Sequence, residues 1–246
     1  MNKNRYYILD AIRGFALLNM ILYHASWDLV YMFDVNWSWY RSNGAYIWQQ
    51  CICWTFIILS GFCYSFGRKK LKRGMLVFLC GLLISIVTCT LMPESRVLFG
   101  ILTLLGSCML LMLPLEILFK KMNQYLGFFV SFSVFVLIRN INNGFLGFEK
   151  WNLIQVPSNL YKNLFTAYIG FPSNNFYSTD YFALLPWFFL FLTGFFLHQI
   201  FKKNNWLKSF APHVCKPLEW IGKHSLPIYV AHQPIIYGVL SVLFSL

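Results

Sequence analysis

Residues 75–92 read MLVFLCGLLISIVTCTLM, eighteen consecutive positions without a charged side chain. At about 1.5 Å of rise per residue a helix of roughly 20 such residues crosses a hydrocarbon core about 30 Å thick. The stretch is apolar on every side, whereas membrane barrel strands alternate in and out over about ten residues. It predicts a transmembrane helix. Comparable stretches place the expected spans at about 6–31, 47–67, 74–92, 98–119, 124–141, 181–201 and 225–245. Charged residues make up only 11% of the chain against 58% hydrophobic, where soluble domains carry about a quarter charged. The expected fold is all-α: a polytopic membrane bundle of seven helices forming one domain over 1–246. The first stretch has no small-residue cleavage site, so it is expected to stay as an anchor.

The basic residues fall between the spans. With the N-terminus inside, fourteen of the twenty Lys and Arg lie in inner segments, from Lys3 and Arg5 through the run RKKLKR at 68–73 to Lys216 and Lys223. Five lie outside: Arg41, Arg96, Arg139, Lys150 and Lys162. That bias predicts a cytoplasmic N-terminus in a bacterial-type inner membrane. The formal charge of +12 is therefore a topology signal, and nucleic acid is not an expected partner. Six of the seven cysteines sit in or beside apolar stretches as small hydrophobes. Their spacing suggests neither a disulfide framework nor a zinc site, and no metal is expected.

Two outer connections are long, about 32–46 and about 142–180. Loops beyond about 12–15 residues are usually functional or disordered, and these hold too many aromatics for disorder, so a lid or an acceptor site is expected. The segment NLFTAYIGF at 163–171 is too short to span and is expected to be re-entrant or interfacial.

Ionisable groups inside a span are costly and suggest function. On a helical wheel with Asp10 at zero, Arg13 falls at about 300°, His24 at about 320° and Asp28 at about 0°, so all four share about 60° of arc. Gly14 and Ala25 border that stripe, leaving room for a substrate or a close helix, while Leu17 and Ile21 make its middle apolar. One reading is structural: an Asp10–Arg13 pair near one interface and a polar end at His24. The other is a path lining, with a cation at the inner end and, about 16 Å further out, an imidazole able to take and return a proton near neutral pH. Asp28, one turn on, would orient that imidazole or stabilise its charged form.

The last span places Ser225, Tyr229 and His232 on one face, next to Gln233 and a Pro234 that removes a helix hydrogen bond. A ligand or proton site and a hydrogen-bonded structural histidine both fit. Asp180 opens the sixth span either as a helix cap or as a site residue, and Trp187 stands with Pro186 where a kink would line a pocket. Arg68, Lys69 and Lys70 serve topology or attract the phosphates of a cofactor. His198, His213 and His224 receive no role.

The motifs LDAIRGFALLNMILYHASWD, FIILSGFCYSFGRKK, FGILTLLGSCMLL, TDYFALLPW and IGKHSLPIYVAHQP, in that order, resemble the catalytic domain of heparan-alpha-glucosaminide N-acetyltransferase in a short bacterial form. The Arg13-x10-His24 spacing is also similar to that of the membrane acyltransferase-3 proteins. The resemblance implies acyl transfer across the membrane from cytosolic acetyl-CoA (acyl-CoA), a donor substrate, to a hydroxyl or amine of an extracytoplasmic sugar or glycan of the cell envelope. His24 would be the catalytic base or an acyl carrier, with Asp28 beside it. Arg13 would hold the coenzyme, helped by Arg68, Lys69 and Lys70. Asp10, Trp27, Asp180, Trp187, Tyr229, His232 and Gln233 would line the substrate cavity. A homodimer is compatible with this reading. The rival is a small-solute or proton-coupled transporter in which the same stripe relays protons, and a non-catalytic scaffold would tolerate loss of His24.

Overall fold

The computed structural model describes residues 5–244; Lys3 and the last residue of the expected span 225–245 lie outside the described residues. In chain order the elements are α1 (Tyr7–Tyr31), α2 (Asn43–Tyr64), α3 (Lys70–Leu91), α4 (Ile101–Lys121), α5 (Gln124–Ile138), strands β1 (Phe145–Phe148) and β2 (Trp151–Gln155), α6 (Leu164–Ile169), α7 (Leu184–Lys203), α8 (Lys216–Lys223) and α9 (Ser225–Leu243). Among the described residues seven helices are long and apolar enough to cross a membrane, α1 to α5, α7 and α9, with α5 counted through its following turn to Asn143. They match the seven expected spans, so the chain is an all-α polytopic membrane protein. Helix α3 starts at Lys70, earlier than expected, because long basic side chains can ride on the first turn with their heads turned away from the apolar stretch.

The chain divides into two compact units, one running to Leu59 and resuming at Phe201, the other Ser60–Ile200. In the first, α1 packs against α8 and α9. The α1–α8 crossing is a glycine contact: a Cβ on Gly14 would stand 1.9 Å from the Leu218 carbonyl oxygen, and one on Gly222 would stand 1.8 Å from that of Asp10. Only two missing side chains let the backbones meet so closely. The small border at Gly14 is thus filled by a helix, which settles one of the two uses expected for it.

The loop after the sixth span contains a further helix, α8, beyond the expected elements. Its signals were present: Pro217 at the helix start, Glu219 in the first turn and Lys223 in the last. Glu219 accepts the amides of Val214 at 2.9 Å and Cys215 at 3.2 Å, and the His213 ring lies 2.6 Å away. Burial pushes its carboxyl up, but those hydrogen bonds outweigh it and hold it below the usual range. His213 also stacks on Tyr7 with ring centroids 3.5 Å apart, so the loop is fastened to the start of α1.

In the second unit α3 and α4 cross where Gly81 meets Thr103 and Gly106 meets Phe78. Helix α7 is buried along most of its length, with Phe191 and Phe195 fully enclosed, as a helix apolar all round must be. The long connection after α5 is ordered by an antiparallel hairpin, β1 on β2, a two-stranded departure from helix inside an otherwise helical chain. The segment expected at 163–171 contains the six-residue α6, started by a capping box in which Asn163 and Thr166 exchange hydrogen bonds. It is tied to α4 by the Tyr168 hydroxyl donating to Ser107 at 2.6 Å, and the Tyr181 hydroxyl donates to the Ala167 carbonyl.

Candidate functional site

The first unit contains eight of the thirteen sequence-derived site residues, and they fall at two ends of α1. At the N-terminal end Asp10 accepts from Arg5 Nε at 2.8 Å and from Arg13 Nη1 at 2.9 Å. Arg13 also points a nitrogen at the Gly222 carbonyl, 3.5 Å away. The carboxylate therefore has two cations, one on each of its oxygens.

The middle of the stripe is apolar and packed. Leu17 is 0% exposed and clusters with Met20 and Ile52, flanked by Ile21, Trp48, Ile228 and the Tyr229 side chain. Asn19, on the opposite face, accepts the Trp48 indole N–H at 3.0 Å and returns its own amide to the Phe15 carbonyl. Within this unit the stripe is thus polar at its ends and apolar between them, as its sequence indicated.

At the other end α1 meets α9. The His24 and His232 rings lie 5.0 Å apart, inclined at 60°. His232 Nδ1 bonds to the carbonyl of Tyr229, one turn earlier. A carbonyl only accepts, so Nδ1 carries a proton, and in the neutral form of the ring Nε2 is an open acceptor. Gln233 Nε2 donates to Asp28 Oδ1 at 2.7 Å, and Asp28 is 0% exposed. Among the described residues the Asp28 carboxylate bonds to Gln233 and not to the His24 ring it was expected to orient. Three buried acceptor atoms have no partner among the described residues: Asp28 Oδ2, His232 Nε2 and Gln233 Oε1. Orphaned polar atoms are costly and concentrate at functional sites. Because all three accept, a group that satisfies them must bring protons, as an amine or a hydroxyl does. Trp27, one turn beyond His24, packs on Val30, Tyr40 and Ala45.

The other five candidates belong to the second unit. Arg68 and Lys69 are exposed. Lys70 Nζ sits 2.6 Å from both oxygens of Glu116, which Lys120 also reaches at 2.6 Å, and it lies over the Tyr64 ring at 4.5 Å. That lysine is tied to its neighbours, unlike the two before it. Asp180 precedes α7 by several residues and reaches instead to the first amide of α4, accepting from Ile101 at 3.4 Å. It is a cap, but of another helix than the one it was expected to start. Burial pushes its carboxyl up to about 6, against the opposing pull of that amide. Trp187 is 3% exposed, packed on Phe135 and Phe182, with the Arg139 guanidinium 4.6 Å over its ring. No three His, Cys, Asp or Glu side chains among the described residues converge as metal ligands.

A bundle of membrane-length helices whose first and last members join a histidine pair and a buried carboxylate defines a membrane protein with an intramembrane polar site. Its family follows from comparison with known proteins: residues 5–234 match the family described as "Heparan-alpha-glucosaminide N-acetyltransferase, catalytic". The chain belongs to that family, and so to a family of membrane acetyltransferases. No curated protein and no solved structure matched it.

Proposed function

We propose that the protein transfers an acetyl group from acetyl-CoA, bound on the cytoplasmic side, to an amine or hydroxyl of a sugar or glycan on the other face of a bacterial-type inner membrane. The observation that carries this reading is the cluster of proton-hungry acceptors on α1 and α9 beside His24. A sugar amine placed there gives one N–H to an orphan acceptor such as Asp28 Oδ2 and points the other at His24, and a hydroxyl does the same with the help of a neighbouring hydroxyl on the ring. His24 then takes its proton as the nitrogen or oxygen attacks the thioester carbonyl. The carbon–sulfur bond breaks, coenzyme A leaves as the thiolate, and the imidazolium returns the proton to it. Arg13, with one side on Asp10, supplies positive charge for the coenzyme at the other end of α1, and exposed Arg68 and Lys69 add to it. The Lys and Arg bias supports the orientation that puts this end inside.

The test is release of free thiol from acetyl-CoA by the purified protein in nanodiscs, with and without amino sugars and cell-wall glycans. Turnover that needs both an acceptor and His24 is expected. Arg13→Ala should weaken acetyl-CoA binding, whereas His24→Ala should bind it and not turn over. Equal loss of binding in both would overturn this division of roles. Failure of the wild type to bind acetyl-CoA at all would favour a transporter.

A further inference from the structure

Beside the histidine pair, on the next face of α1, the first unit has a cavity of about 260 Å³ that the reaction above does not use. Tyr23, Trp27 and Tyr31 recur at i, i+4 and i+8 of α1 and so form one stripe, displaced by less than a quarter turn from the His24 stripe. The short 3-10 turn Ser38–Arg41 lies against them, with Tyr40 on Tyr23 and Tyr31. Its Tyr40 is the floor: 6% exposed, it packs on Tyr23 with ring centroids 5.2 Å apart and planes tilted by 42°, and donates its hydroxyl to the Tyr23 carbonyl at 3.3 Å. Burial raises the Tyr40 hydroxyl far above its ordinary value, so it stays a neutral donor. Tyr31 and Tyr46, about half exposed, stand at the mouth with Arg41 and Gln49.

The shape selects a small cyclic ligand. The volume lies just under the usual range of about 300–1,000 Å³ for small-molecule sites, which suits one sugar ring better than two. Aromatic faces offer flat, electron-rich surfaces to the C–H edges of such a ring, and Gln49 and Ser42 offer hydrogen bonds for hydroxyls. The charge selects further. An aromatic cage alone would favour a cation, but here the cation is Arg41. The described lining residues include no carboxylate, and no ion pair among the described residues holds the Arg41 guanidinium. A planar guanidinium at the mouth matches a carboxylate, phosphate or sulfate in two-point contact.

We infer that this cavity is the subsite for the acceptor ring and that Arg41 selects a ring carrying an anionic substituent. The inference rests on the acetyltransferase reading for the word acceptor, but sugar binding can be measured without transfer. Quenching of tryptophan fluorescence would be followed in nanodisc-embedded wild type, Arg41→Gln and Tyr46→Leu, with glucose, glucuronate, glucose 6-phosphate and glucosamine 6-sulfate as probes. Thiol release would be run in parallel on the same preparations. In the wild type at least one anionic sugar should bind about tenfold or more tightly than glucose. Arg41→Gln should abolish that preference, and Tyr46→Leu should weaken every sugar. The arm that wins separates carboxylate from phosphate and sulfate. Absence of sugar binding, or a preference untouched by Arg41→Gln, would overturn the subsite and leave the aromatics as an interfacial belt. Sugar binding with these dependences but no acceptor-stimulated thiol release would sustain the subsite and sink the acetyltransferase reading instead.

Discussion

The two ends of α1 use the same residue types to opposite effect. At Asp10 the carboxylate meets Arg5 and Arg13, and its charge is balanced within one turn or so of helix. At Asp28 the carboxylate is fully buried and meets one neutral amide, while its own second oxygen and two acceptors on α9 lack partners among the described residues. The first arrangement is what a stable fold does with charge in an apolar setting. The second stores unsatisfied polarity where only a proton-bearing visitor can relieve it. Between them lies a layer of packed leucine, methionine and isoleucine, so the difference is kept local. What it teaches is that an intramembrane carboxylate indicates a site by the partners it is denied, more than by its presence.

Four measurements would break or sharpen that contrast. The largest effect is expected from His24→Ala, which should lower acetyl transfer by about 10²–10⁴-fold, the usual worth of a general base, with thermal unfolding in detergent unchanged. A large drop in melting temperature would make His24 structural. Next comes Gly222→Val at the balanced end: its Cβ would overlap the Asp10 carbonyl, and the strain should cost about 3 kcal/mol or more, seen as loss of a monodisperse peak on size exclusion.

A third carboxylate provides an intermediate case. Asp180, with a single amide donor and a carboxyl raised to about 6 from an ordinary value near 3.8, holds its proton more tightly folded than unfolded. Its contribution to stability is therefore full below about pH 4 and is lost as pH rises through about 6. Thermal melts across that window should slope downward for the wild type, and Asp180→Asn should flatten the slope. An unchanged slope would show that other groups carry it. The smallest effects are a matched pair. Gln233→Leu leaves Asp28 with no donor and should cost about 1–3 kcal/mol, whereas Arg5→Gln leaves Asp10 its Arg13 and should cost less than about 1 kcal/mol. If the two melting shifts are equal, the contrast between the ends is wrong.

Much of this was legible in the chain. The seven spans were readable because length and apolarity are what the bilayer itself measures. The stripe Asp10, Arg13, His24 and Asp28 was readable because helical periodicity fixes which side chains share a face of one helix. Partners from elsewhere in the chain were not. Nothing local says that Gln233 bonds Asp28 across more than two hundred residues, or that Asp180 caps α4 and not α7. In sequence Lys70 is indistinguishable from Arg68 and Lys69, and only the fold sets Glu116 beside it. Helix α8 and the stripe Tyr23, Trp27 and Tyr31 carry local signals of their own, Pro217 and Glu219 in the one and aromatics at i, i+4 and i+8 in the other.

Hydrophobic length and a period of 3.6 residues are enough to make this chain an all-helical membrane protein and to fix which residues of α1 lie on its polar face. Only the tertiary structure decided that His24 faces His232, that Gly14 and Gly222 let α8 touch α1, and which acceptors are left without donors. Those are properties of pairs brought together by packing, and a hydrogen bond is satisfied or orphaned only by what the fold places within about 3 Å of it.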